Sequence, residues 1–223
     1  MSRTTGLRKH CARCLETRRW GGSVVLMVVD AAFTSIGLNY FTAVVPNVVK
    51  FEKELLATGK VRTLEDISLL GLDQVQSIWR NRRSWQMANK VASYLQELAV
   101  ADSLDERGAL RCWAAKACLE RWQEDPIGEI NGVGITTFQY LRMMGGIDTA
   151  MPDKIVRRVV RQILDESRLA MPTEKDLELV NTIDRMAVLS GYRPIEICWM
   201  TWLIQTEGKV IRMEKYRQLL DRI

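Results

Sequence analysis

Apolar residues recur at helical spacing along almost the whole chain. Ile155, Val156, Val159, Val160 and Ile163 fall at i, i+1, i+4, i+5 and i+8, one stripe that leaves Arg157, Arg158 and Arg161 on the opposite face. The period-two alternation of a half-buried strand is absent. The pattern predicts helices over 6–18, 22–34, 38–57 with a break at Pro46, 63–70, 73–79, 84–99, 102–123, 135–144, 153–167, 173–189, 194–206 and 211–221. Thr63 with Asp66 and Thr173 with Asp176 read as capping arrangements. Pro126, Pro152, Pro172 and Pro194 stand at helix starts, where a missing N–H is tolerated. Short turns join the elements, and an all-α protein follows.

Composition narrows this reading only a little. In 223 residues, 47% hydrophobic and 26% charged is ordinary for a globular chain, and the strongest apolar run, VVLMVV, is cut by Asp30 before it could span a bilayer. The chain reads as cytoplasmic, with no membrane partner. Five scattered cysteines argue for reduced thiols over a disulfide framework. His10, Cys11 and Cys14 hint at a metal, but a zinc site wants four ligands and the chain's single histidine is already used there, so no metal is expected.

Charge changes the picture more. Arg3, Arg8, Lys9, Arg13, Arg18 and Arg19 against Glu16 account for the whole net charge of +5. Arg80, Arg82, Arg83 and Lys90 occupy an acid-free stretch from Gln74 to Gln96, and Lys154, Arg157, Arg158 and Arg161 form a third cluster. Three basic clusters suit a polyanion, although solvated helix faces would look the same.

The chemistry is concentrated in INGVGITTF and MPDKIVRR. Gly132 and Gly134 permit a tight turn and close approach to the main chain. The amides of residues 132 to 136 then sit at a helix N-terminus, a place that favours phosphate, while a plain helix–helix turn would use the same residues. Asp153, directly after Pro152, reads either as a helix cap or as a partly buried carboxylate able to stabilise positive charge.

GVGITTF followed by MPDKIVRR resembles the helix-hairpin-helix (HhH-GPD) DNA glycosylases of the endonuclease III superfamily, with weaker likeness over residues 22 to 165. The resemblance implies a two-lobed all-α fold: a central bundle over 22–150 ending in the hairpin at about 126–144, and a second lobe from 1–21 with 151–223 that carries the catalytic Asp153 at the cleft. It implies hydrolysis of the N-glycosidic bond of a damaged or mismatched base in duplex DNA by a monomer. Bifunctional members carry a nucleophilic lysine where this chain has Thr136, so strand cutting through a Schiff base is not expected. An iron–sulfur cluster is not expected either, since only Cys198 follows Asp153. A monovalent cation at the hairpin is the one cofactor the family suggests.

By the same resemblance Thr136 lines the substrate pocket; Asp30 reads as a base-reading group there or a helix-end cap, and Trp79 as a surface that stacks on a base or a packed core aromatic. Gly132, Val133, Gly134, Ile135 and Thr137 hold a phosphate, joined by Arg80, Asn81, Arg82 and Arg83 and by Lys154 and Arg157. Phe33 would be a wedge in the base stack or a core residue. A noncatalytic helix-hairpin-helix DNA-binding protein is the alternative.

Overall fold

The computed structural model describes residues 5–223, so Arg3 of the first basic cluster lies outside the described residues. The elements are α1 (Thr5–Leu15), α2 (Val24–Thr34), α3 (Val45–Phe51), α4 (Leu64–Ser68), α5 (Leu72–Val75), α6 (Arg82–Ala101), α7 (Glu106–Lys116), α8 (Ile135–Met144), α9 (Lys154–Glu166), α10 (Asp176–Ser190) and α11 (Pro194–Leu203). A two-stranded hairpin, β1 (Thr206–Glu207) and β2 (Val210–Ile211), then leads into α12 (Arg212–Lys215) and α13 (Arg217–Arg222). The fold is helical, and no described helix is long and apolar enough to cross a membrane.

At the centre stands α2, whose residues Val24 to Phe33 are all buried. A helix apolar on every side has to be surrounded, and α3, α4, α6, α7 and α8 surround it. At the other end, α1 packs on both α11 and α8. It is tied to the C-terminal helices by Arg8 Nε donating to Glu196 Oε1 at 3.1 Å and by Arg13 Nη1 donating to Leu220 O at 2.7 Å. One apolar interior runs from Leu7 to Ile223 through all of these helices.

Several expected boundaries move, each for a local reason. The helix expected over 102–123 is only α7, because Ser103 takes a left-handed φ of 54° and Asp105 Oδ1 caps a new start by accepting from Gly108 N at 2.6 Å. Pro126, expected at a helix start, opens a series of turns over residues 126–130. Pro46 does not break its helix: it stands in the first turn of α3, where a missing N–H is tolerated, directly after a π-helical turn at Tyr40–Val44. The expected helix over 194–206 stops at Leu203, where Gly208, at φ 70°, turns the β-hairpin that the alternation argument missed. The helix expected over 211–221 breaks at Tyr216 into α12 and α13.

Thr63 and Asp66 form a reciprocal capping box, with hydrogen bonds of 3.2 and 3.0 Å. Thr173 and Asp176 do not: α10 is capped through Glu178 accepting from Lys175 N at 3.0 Å, which leaves Thr173 and Asp176 to meet arginines of α9.

Candidate active site

Pro152 favours an extended backbone in the residue before it and delivers Asp153 to the N-cap of α9, at φ −86° and ψ 173°. Asp153 Oδ1 accepts from Ile155 N at 2.7 Å and Val156 N at 2.8 Å, while Oδ2 accepts from the indole Nε1 of Trp202 at 2.6 Å. Burial raises the carboxyl pKa above its ordinary value, opposed by the two helix amides, by Trp202 and by the charge of Arg212. The acid is therefore half-buried and fixed in orientation.

In the hairpin, Val133 N donates to Ile130 O at 2.9 Å across a turn in which Gly132 has φ 108°, an angle that excludes other residues. Arg83 lies beside it: a Cβ on Gly132 would come within 3.3 Å of Arg83 Nε, so the acid-free basic stretch and the hairpin are neighbours. Gly134 has no such internal reason to be glycine. It caps α8 at φ −102°, open to any residue, with nothing within 4 Å of where a Cβ would stand and no side-chain cap for the amides behind it.

The hairpin helix and the acid converge on one cavity of about 540 Å³, lined by Thr136, Thr137 and Tyr140 of α8, by Asp153 and Lys154, by Trp199 and Trp202 of α11, and by Thr34, Ser35 and the segment Gly37 to Phe41. That volume lies within the ~300–1,000 Å³ typical of small-molecule sites. Its walls are mostly apolar, with Tyr40, Phe41, Tyr140, Trp199 and Trp202 as the aromatic part, and several polar groups on them are engaged: the Tyr40 and Tyr140 hydroxyls with Asp30, and the Trp202 N–H with Asp153.

Other expected site residues lie elsewhere. Asp30 does not line the cavity. It is 0% exposed, paired with the 1% exposed Arg19 at 3.3 Å, and its Oδ2 also accepts from Trp20 Nε1 (2.8 Å), Tyr40 (3.0 Å) and Tyr140 (2.7 Å). Burial pushes both tyrosine hydroxyls up, so they remain donors. Asp30 thus braces two cavity walls from behind. Trp79 is core, stacked on buried Phe33 with ring centroids 4.4 Å apart, which also removes Phe33 as a wedge. Asn81 caps α6 through Oδ1, accepting from Ser84 N at 2.9 Å, while Arg80, Arg82 and Arg83 are exposed.

Val133 turns its side chain into the core, so only its backbone is available. Arg157 lines the cavity but is engaged: it donates to Thr173 O, to Glu174 O at 2.7 Å and to Asp176 Oδ1. Lys154 is exposed and has no acidic partner among the described residues. Cys11 and Cys14 are buried thiols pushed up by burial, and among the described residues no three His, Cys, Asp or Glu side chains are grouped to hold a metal ion.

Sequence reasoning missed Tyr40, Tyr140, Trp199, Trp202 and Arg212. The two tryptophans of CWMTW carried a signal, but helical spacing alone does not separate a core face from a cavity wall. Compared with known protein families, curated proteins and solved structures, the chain matches none.

Proposed function

We propose that this protein is a monofunctional DNA glycosylase that removes a damaged or mismatched base from duplex DNA. The single observation that carries the reading is that Asp153 and Thr136, from separate helices, line one cavity of about 540 Å³. A base inside a duplex is out of reach, so the target nucleotide leaves the stack and enters the cavity at a cost of a few kcal/mol. The oxygen of a water bonds to C1′ of the deoxyribose and gives up a proton, the C1′–N bond breaks, and the base departs with the electron pair and takes up one proton, so that water is added across the bond. Asp153, ionised, steadies the cationic sugar. At ~5 Å and an effective dielectric of 20 this attraction is roughly 3 kcal/mol.

Thr136 has no amine to form a Schiff base, so the strand stays intact. The amides at the start of α8, open beside Gly134, hold a backbone phosphate. Backbone carbonyls of the turn, that of Ile130 already accepting from Val133 N, are the groups that would hold a monovalent cation.

The noncatalytic DNA-binding reading has its own support, since both oxygens of Asp153 are engaged as in a complete helix cap. Asp153→Asn separates the two. Tested on duplexes carrying uracil, thymine mismatches, oxidised purines or alkylated purines, the wild type releases one class of base. The variant releases none while keeping its affinity for the duplex. If the wild type releases no base from any of them, the noncatalytic reading stands.

A further inference from the structure

Three cations line the cavity, and they differ in what holds them. Arg157 is closed off by Asp176 and two carbonyls, and Lys154 faces solvent. Arg212 has a different setting. It opens α12 directly after the β-hairpin, its Nε donates to Glu207 Oε1 at 2.6 Å, and its Cζ lies 5.6 Å from the centroid of the Trp202 ring. Neither terminal nitrogen has an acceptor among the described residues, and Nη1 is shielded from solvent. Glu207 does not cancel the charge, because the same carboxylate also holds Lys215 at 2.8 Å and accepts from the Tyr216 hydroxyl at 2.6 Å. Two cations therefore share Glu207, and the charge of Arg212 also reaches Asp153, on the far side of Trp202.

A guanidinium presents five N–H donors in a rigid fork matched to phosphate oxygens, and terminal donors left unmatched in a side chain only 14% exposed are costly until an oxygen completes them. Trp202 fixes the direction: its N–H points to Asp153, and its ring carries Arg212. We infer that Arg212 forms an anion subsite in the cavity wall, across Trp202 from Asp153, whose ligand is a phosphodiester group of the nucleotide that enters the cavity. An indole and a deoxyribose are of similar breadth, so a sugar with C1′ at Asp153 brings its own phosphate to the guanidinium. The inference rests on the glycosylase reading and adds to it a contact made only by an extruded nucleotide.

Binding of the full chain to a duplex with a tetrahydrofuran abasic-site analogue, and to the same duplex fully paired, is measured over a salt series for the wild type, Arg212→Gln and Arg212→Lys. The wild type prefers the abasic duplex. Arg212→Gln loses roughly tenfold of that preference, as expected for one charge-assisted contact. Its salt slope falls by about one on the abasic duplex and is unchanged on the paired one. Arg212→Lys keeps the charge and recovers the slope. An Arg212→Gln variant that retains the preference, or that weakens equally on both duplexes, overturns the inference and leaves the glycosylase reading standing. A wild type with no preference removes both.

Discussion

Trp202 donates its indole N–H to Asp153 Oδ2 at 2.6 Å, so a residue of α11 holds one oxygen of the acid that caps α9. Burial raises the Asp153 pKa, and Trp202 is among the groups that hold it down. If the ionised form is the working one, excision is lost as pH falls through that pKa, on a limb above the ~3.9 of a free aspartate. Trp202→Phe deletes a hydrogen bond to a charged group worth about 1.5–3 kcal/mol and moves the limb up by about one pH unit or more. A pH–rate profile of kcat checks this, and an unmoved limb means that another group titrates.

Thr136 lines the same cavity as Asp153. Thr136→Lys therefore brings an amine to where C1′ would lie, and borohydride traps a covalent protein–DNA adduct by reducing the imine. Electrophoresis under denaturing conditions reads the adduct directly. Its absence from a variant that still binds DNA means the side chain at 136 does not reach the sugar.

Asp30 belongs to stability. Asp30→Ala leaves Arg19 buried without its partner and destabilises by about 3–5 kcal/mol. Tyr40→Phe and Tyr140→Phe each remove a hydrogen bond to the Asp30 carboxylate and cost about 1.5–3 kcal/mol. Denaturant midpoints at constant m-value check the order, and an Asp30→Ala midpoint like wild type would show that the ion pair contributes nothing.

His10 gives the fold an acid-sensitive point. Burial, then the charges of Arg13 and Arg19, lower its pKa from 6.5 to about 4, against an opposing pull from Asp221. The folded state binds the proton less tightly than the unfolded chain. The stability this histidine contributes is therefore complete above pH ~6.5 and lost as pH falls toward ~4, by up to about 3 kcal/mol. His10→Gln flattens that part of the stability curve. Urea unfolding at pH 7 and pH 5 measures it, and equal slopes in both proteins would place the acid sensitivity elsewhere.

How much of this was legible in the sequence depends on what fixes each residue. α8 spans Ile135–Met144 and α9 spans Lys154–Glu166, close to where their stripes and the glycines around them set the ends. Asp153 was legible because a proline and an apolar stripe leave it one local role, the N-cap, and that role aims it. Asp30 and Trp79 were not: an acid in an all-apolar helix looks like a site until its partner is known, and Arg19 and Tyr140 reach Asp30 only through tertiary folding. Arg157 was read as a phosphate contact because Asp176, which engages it, belongs to the next helix. Arg212 and the β-hairpin had only the Gly208 turn to announce them.

Because α1, α2, α8, α9 and α11 share a single apolar interior, the walls of the chamber and the scaffold behind them draw on the same core, and heating should dismantle both in one cooperative step.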